Sequence, residues 1–122
     1  MLEVGFENAN LLEVLEGASF QDIDELAFGL VVMDRAGDVV FYNADEAARA
    51  GLSADRVIGR NFFESVGPCT NNYLVAQRFL DEPDLDEFVD FVFTLRMAPT
   101  PVRLRMMARA GSPRQYLAVL DR

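Results

Sequence analysis

Three strand-like stretches follow one another closely in the last third of the chain. They cover residues 88–96, 102–109 and 115–120, and they are rich in apolar and β-branched residues. The segments that separate them, residues 98–101 and 110–113, contain Pro or Gly, which favour turns between strands. The end of the chain therefore predicts three strands of a sheet.

A hairpin is predicted upstream of these strands. Residues 26–33 form a dense apolar run, residues 34–38 carry a turn pattern around Gly37, and residues 39–42 are again strand-like. Short helices are expected after the hairpin, at residues 44–50 behind an Asn43 N-cap, at 53–58 and at 73–80. Residues 61–72 are predicted as a loop and residues 81–86 as a surface turn.

The N-terminal quarter predicts two further short helices. Residues 8–16 begin with N-cap candidates, place leucines on one helical face and end at Gly17, and a second helix is expected from Ser19. Two strands, several short helices and three strands predict an α+β fold with a five-stranded antiparallel sheet flanked by short helices. We expect one domain over residues 1–122, with a helical cap at 1–25 and a core at 26–122.

Composition narrows the classes of partner. With 51% hydrophobic residues in 122, the chain is expected to fold around its own core. Its formal charge of −9 disfavours nucleic acid and anionic membranes, which are bound through basic patches. The apolar run at 26–33 is too short to span a bilayer, and the first residues lack the basic start of a secretion signal. We therefore expect a cytoplasmic protein, a monomer or a weak dimer.

The sequence contains no His, no Lys and no Trp, and its one cysteine is Cys69. Without His, the usual zinc sites, His-ligated haem and Cys-His nucleophile pairs are excluded. Without Lys, no side-chain Schiff base can form with retinal or pyridoxal phosphate. An enzyme is accordingly the class that the sequence supports least. A covalently attached cofactor would have Cys69 as its natural site.

Tyr42 and Glu46 lie four residues apart, shortly before Cys69. A thiol can tether a small molecule as a thioester, and a tyrosine with a protonated glutamate can donate two hydrogen bonds to a buried phenolate. Together the three residues predict a covalently bound phenolic chromophore. Taken singly, Cys69 would be a small buried hydrophobe and the Tyr42–Glu46 pair an ordinary helix-surface pair.

The chain resembles the photoactive yellow protein family, whose members have a PAS-like fold. The resemblance rests on residues 25–29, Tyr42-Asn43-Ala44 with Glu46, residues 57–63 and Pro68-Cys69-Thr70. It implies a p-coumaroyl group joined by a thioester to Cys69, with Tyr42 and Glu46 hydrogen-bonded to its phenolate oxygen. It also implies a blue-light photocycle with trans–cis isomerisation, proton transfer from Glu46 and loosening of the N-terminal cap, which signals to an unknown protein partner.

Four further residues, Phe62, Val66, Thr70 and Met97, resemble pocket-lining positions of the family, although large apolar residues at such positions are equally well explained as core.

Two positions depart from the family pattern. Ala50 stands where the family has a threonine that hydrogen-bonds the tyrosine, and Leu52 stands where it has an arginine over the chromophore. The resemblance implies that attachment survives both changes, whereas the absorption and the recovery rate are left open. The alternating Arg103, Arg105 and Arg109 are interpreted as a solvated strand edge rather than an anion site.

Two other functions stay open on the sequence. The first is a chromophore-free PAS module for ligand binding or dimerisation. The second, less favoured, is a flavin-binding photosensory PAS domain, since Cys69 lacks the Asn-Cys-Arg-Phe-Leu context of such domains.

Overall fold

Helices and strands alternate in groups in the computed structural model of the chain, which describes residues 3–94 and 98–122. The α-helices are α1 Leu11–Gly17, α2 Phe20–Asp24, α3 Ala44–Ala50, α4 Ala54–Val57 and α5 Ala76–Asp81. The strands are β1 Gly29–Asp34, β2 Val39–Tyr42, β3 Leu85–Phe93, β4 Thr100–Ala108 and β5 Arg114–Asp121. A π-helical turn, Phe62–Val66, and a 3₁₀ turn, Pro68–Thr70, lie between α4 and α5.

The five strands form one sheet in the order β2-β1-β5-β4-β3, and every neighbouring pair is antiparallel. The predicted α+β class and five-stranded antiparallel sheet are confirmed. Gly37, with φ +93°, permits the tight turn that joins β1 to β2. The division into a cap and a core at residue 25 stays a prediction.

Each face of the sheet carries its own apolar cluster, because side chains alternate along a strand. Val31 and Met33 of β1 face the cluster under α3, α4, α5 and the two irregular turns. Leu30 and Val32 face the opposite cluster, which is covered by α1, α2 and the segment before them. The candidate site lies on the first of these faces, and the N-terminal segment lies on the second.

Several predicted boundaries were displaced. The helix predicted at 73–80 begins at Ala76, and β3 begins at Leu85, within the predicted surface turn 81–86. β4 includes Pro101, which the prediction placed in a turn. The segment 61–72, predicted from its loop and turn signals, contains the π-helical and 3₁₀ turns.

Arg105 contradicts the interpretation as a solvated strand edge. β4 is an interior strand, and Arg105 is only 3% exposed because the N-terminal segment covers it. Its guanidinium donates two hydrogen bonds to Asp86 and two more to the backbone carbonyl oxygens of Phe6 and Asn8. The part of the chain that the structure describes has no helix long and apolar enough to cross a bilayer.

Candidate functional site

Asn43 determines where Glu46 lies. It lies between the end of β2 and the start of α3. Its side-chain Oδ1 accepts hydrogen bonds from the backbone N–H groups of Glu46 (3.1 Å) and Leu30 (2.9 Å). Its Nδ2 donates to the carbonyl oxygens of Ile23 and Phe28. The predicted N-cap is confirmed, and it joins the start of α3 to β1 and α2. Glu46 is therefore fixed in the first turn of a helix that is anchored to the sheet.

Tyr42 is the last residue of β2, so it does not share a helix with Glu46. Its side chain is 1% exposed, and its hydroxyl oxygen has no hydrogen-bond partner among the residues that the structure describes. Burial, together with the nearby Glu46 charge, holds the pKa of Tyr42 well above its usual range. The hydroxyl stays protonated and is a free donor within the core.

Glu46 is 1% exposed and accepts a hydrogen bond at Oε1 from Arg49 Nη1 at 2.5 Å. Burial raises the pKa of Glu46 to about 7, although the Arg49 charge and hydrogen bond oppose the rise. Desolvation of the carboxylate therefore outweighs the adjacent cation. Near neutral pH the residue is poised between acid and carboxylate.

Cys69 is a half-buried free thiol in the 3₁₀ turn. It borders a cavity of about 540 Å³ between this turn and the α3–α4 connection. The cavity is lined by Ala50, Leu52, Arg56, Val57, Arg60, Ser65, Val66, Pro68, Cys69 and Thr94. Both departures from the family pattern, Ala50 and Leu52, thus line the same cavity as the thiol.

Tyr42 and Glu46 are absent from that lining among the described residues. Tyr42, Ala50 and Val66 nevertheless belong to one apolar cluster, against which Cys69 packs. Ala50 lies one helical turn after Glu46 on α3 and is buried at the cavity wall. Cys69 and Tyr42 therefore pack on the same apolar cluster, and Glu46 lies on the helix whose Ala50 reaches the cavity wall.

Of the remaining predicted site residues, some line the cavity and others do not. Val66 lines the cavity, whereas Phe62 is buried in the core outside that lining and packs edge-on against Phe63. Thr70 is buried, and its hydroxyl donates to the carbonyl oxygen of Gly67 at 2.6 Å, which stabilises the turn that carries Cys69. Met97 lies outside the described residues.

The arrangement suits a small acidic phenol. Tyr42 presents a buried donor that lacks an acceptor, and Glu46 presents a carboxyl group that can keep its proton near neutral pH. A phenolate oxygen is an acceptor for both, and a half-buried thiol beside a cavity can carry an acyl group. The donor set present here fits the predicted chromophore.

Arg49 is the residue that sequence reasoning missed. Its guanidinium binds Asp45, Glu46 and Asp121, and it is the nearest cation to Glu46 among the described residues. The i,i+3 and i,i+4 spacings to Glu46 and Asp45 were visible in the sequence. Such spacings are usual on exposed helix faces, and only the burial of Glu46 distinguishes this pair.

The chain is similar to proteins of known function. It is 37% identical over 106 residues to the photoactive yellow protein of Halochromatium salexigens, which covers 84% of this chain and 85% of that protein. It also resembles the crystal structure of the photoactive yellow protein domain of the sensor histidine kinase Ppr from Rhodospirillum centenum. That match has a TM-score of 0.79 and 36% identity, and it covers 88% of this chain and 96% of that domain.

A more distant structure supports the fold alone. The PAS domain of an HTR-like protein from Haloarcula marismortui has a TM-score of 0.63 at 15% identity, over 91% of this chain and 98% of that domain. The predicted PAS-like fold is confirmed by these two structures. No protein-family model matches the chain.

Proposed function

Because the chain belongs to the photoactive yellow protein family, we propose that it is a blue-light photoreceptor with a p-coumaroyl chromophore joined to Cys69 by a thioester. The observation that carries the proposal is the buried Tyr42 hydroxyl, which has no partner among the described residues, beside a buried Glu46. A buried polar group without a partner is unfavourable. A phenolate oxygen bound between the two residues would remove that penalty.

Attachment requires only the Cys69 thiol and an activated coumaroyl thioester. The Cys69 sulfur forms a bond to the acyl carbon, the bond from that carbon to the leaving thiolate breaks, and the Cys69 proton goes with the leaving group. Cys69 is half-buried at the cavity edge, so that the thiol can be reached from solvent. Its acylated form would lie under the 3₁₀ turn that Thr70 stabilises.

Glu46 supplies the proton that the switch needs. Its pKa is about 7 with no phenolate beside it, and a neighbouring negative charge raises the pKa of a carboxyl group further. Glu46 therefore stays protonated and donates a hydrogen bond in the dark. The bound group supplies light absorption, a trans–cis isomerisation and a phenolate that can accept the proton. Loss of the proton leaves Glu46 as a carboxylate in the core.

A buried carboxylate disfavours the closed fold. Removing a carboxylate from water costs roughly several kcal/mol, and the adjacent Arg49 offsets only part of this desolvation, whereas a domain of this size is stable by only about 5–15 kcal/mol. Partial opening should begin in the least stable unit. We assign that unit to the N-terminal segment and α1, which pack on the far face of the sheet and whose release would expose a surface to a downstream protein.

Reconstitution with an activated p-coumaric acid tests the proposal. The wild type should gain the coumaroyl mass and a visible absorption band, and Cys69→Ala should gain neither. Cys69→Ser is the matched control for shape, since it keeps the side-chain volume but forms an ester only weakly. A wild type that gains no mass and no band refutes the chromophore.

One observation favours a second candidate, a PAS module that binds a ligand or a second copy without a chromophore. Tyr42 and Glu46 are absent from the described lining of the cavity beside Cys69, and Arg49 already occupies one Glu46 oxygen. Failure of the reconstitution would leave this module as the function that the fold supports.

A further inference from the structure

The Arg49 guanidinium binds three carboxyl groups from two elements. Nη1 donates to Glu46 Oε1 at 2.5 Å, Nη2 donates to Asp45 Oδ2 at 2.8 Å, and Nε donates to Asp121 Oδ1 at 2.7 Å. Asp45 and Glu46 belong to α3, and Asp121 is the last residue of β5. Arg49 is 13% exposed and Glu46 is 1% exposed, so this ion pair lies mostly outside solvent.

The backbone of β1 closes one side of the ion pair. A Cβ atom built on Gly29 would overlap Glu46 Oε1 and would lie 2.5 Å from Arg49 Nη1. The glycine therefore allows both side chains to lie directly against the strand. The titratable and charged groups around Glu46 are Tyr42 from β2, Asp45 and Arg49 from α3, and Asp121 from β5. Arg49 is the one cation among these groups.

We propose that Arg49 is the positioning residue of Glu46, which it orients as an acid and neutralises as a carboxylate. With Oε1 bound to Arg49, the proton of the neutral acid is left to Oε2, so that Oε2 is the oxygen that donates to a ligand. The hydrogen bond to a guanidinium has defined directions, which fixes the carboxyl plane. The second part of the proposal rests on the photoreceptor function proposed above.

Proton transfer is balanced within this arrangement. With a phenolate bound, Glu46 would give the Oε2 proton to the phenolate oxygen; its O–H bond would break, a phenolic O–H bond would form, and nothing would be oxidised or reduced. The negative charge then resides on Glu46, in contact with Arg49. Arg49 keeps its own proton throughout, since a guanidinium does not titrate in this range. The new carboxylate is thus paired with a cation that already contacts Glu46 before the transfer.

This pairing should prolong the light-activated state. An adjacent opposite charge stabilises a buried carboxylate and makes it a weaker base. Glu46 should then recover its proton more slowly than it would without Arg49. Because Arg49 also binds Asp121, changes at Glu46 are mechanically connected to the end of β5.

The first arm of the test uses the full chain without a chromophore. The protonated carboxyl band of Glu46, assigned by its loss in Glu46→Gln, is titrated by infrared spectroscopy. Arg49→Met should raise the pKa of Glu46 by about 1 unit or more, because it removes the opposing charge. Arg49→Lys keeps the charge and should restore most of the wild-type value. A pKa of Glu46 in Arg49→Met that stays within about 0.3 units of the wild-type value, well short of the expected shift, overturns the proposal.

The second arm uses the reconstituted protein. Arg49→Met should speed dark recovery by about 10-fold or more, which is the rate equivalent of one pKa unit. Arg78→Met is the matched control, because it removes an arginine whose partner Glu82 is exposed and because neither residue lines the cavity. Its recovery should equal that of the wild type. Equal recovery in Arg49→Met and wild type overturns the second part of the proposal.

Asp121→Asn separates positioning from simple stability. It breaks one Arg49 contact and should lower the melting temperature, as Arg49→Met does, but it should leave the pKa of Glu46 close to the wild-type value. If Asp121→Asn shifted the pKa of Glu46 as much as Arg49→Met does, the role of Arg49 would be structural only, and the proposal would be overturned. If no chromophore attaches to the wild type, the proposed photoreceptor function fails while the first arm still decides the role of Arg49.

Discussion

Arg105 Nη1 donates a hydrogen bond of 2.9 Å to the backbone carbonyl oxygen of Phe6. The same nitrogen donates to the backbone carbonyl oxygen of Asn8 at 2.7 Å, and the guanidinium lies 4.9 Å from the ring centre of Phe88. The Phe6 ring packs edge-on against Phe28 on the same face. Arg105 of β4 thus helps to hold the N-terminal segment on the sheet, on the face opposite the candidate site.

Replacing Arg105 should loosen that segment. Arg105→Met removes hydrogen bonds to two carbonyl oxygens and to Asp86, and hydrogen bonds of a charged donor contribute about 1.5–3 kcal/mol each. Because such contributions are not fully additive, we expect a loss of about 3–5 kcal/mol in the free energy of unfolding and faster amide exchange in α1. Arg103→Met, which removes a more exposed arginine of the same strand, should cost under about 1 kcal/mol. Equal losses of stability in Arg105→Met and Arg103→Met would contradict this role of Arg105.

Tyr42→Phe should have opposite effects in the two forms of the protein. Without a chromophore it removes a buried hydroxyl that lacks a partner among the described residues, so stability should be unchanged or should rise by about 1 kcal/mol. With the chromophore it removes one of two donors, so the pKa of the bound phenol should rise. Urea unfolding and an absorbance titration measure the two effects. A clear loss of stability in the chromophore-free form would mean that the Tyr42 hydroxyl does make a stabilising hydrogen bond, contrary to this account.

Glu46 should make the chromophore-free protein less stable as the pH rises. Its pKa is about 7 in the folded chain against 4.5 for the free side chain, so the folded state binds more protons between these values. The contribution of Glu46 to the free energy of unfolding is therefore fully present below pH 4.5. It is lost as the pH rises through 7, which lowers the stability by up to about 3 kcal/mol. Asp90 and Glu82, whose pKa values are lowered by Arg103 and Arg78, act at more acidic pH.

The difference between wild type and Glu46→Gln isolates this effect. Urea unfolding at pH 5 and at pH 8 should show a loss in the wild type that the glutamine variant lacks, because other groups cancel in the comparison. Parallel behaviour of the two proteins would mean that Glu46 is not held as an acid.

Ala50 and Leu52 should tune the site without controlling attachment. Both line the cavity beside Cys69, and neither contributes a thiol or a donor. Ala50→Thr and Leu52→Arg should each gain the full coumaroyl mass, with altered absorption or recovery. Ala50→Thr would add a hydroxyl on the helix that carries Glu46, and Leu52→Arg would add a cation at the cavity wall. Loss of attachment in either variant would contradict this division of roles.

The order of strands and helices was predictable because periodicity and turn residues are local properties of the chain. Asn43 is the best example, since its cap position follows from its neighbours, and the structure confirms it. The boundary between α5 and β3, near residue 85, was harder to predict. Acidic residues of β3 look like a turn in the sequence, yet Asp86 pairs with Arg105 on the neighbouring strand.

The electrostatic partners could not be predicted, because they depend on which surfaces are covered. Arg105 is buried by a segment that lies almost the whole chain before it, and Arg49 binds Asp121, which follows it by 72 residues. An alternating arginine pattern looks the same on a covered face and on a solvated one. The same limit applies to Glu46, whose pKa depends on burial that only the fold creates.

A light-induced infrared difference measurement on the reconstituted wild type tests the central claim most directly. Blue light should bleach the visible band reversibly and, in the same recovery time, remove the protonated carboxyl band that Glu46→Gln lacks. Such a result would establish that the group on Cys69 takes its proton from Glu46. A visible band that does not respond to light, or that bleaches while the Glu46 carboxyl band stays unchanged, would contradict the account.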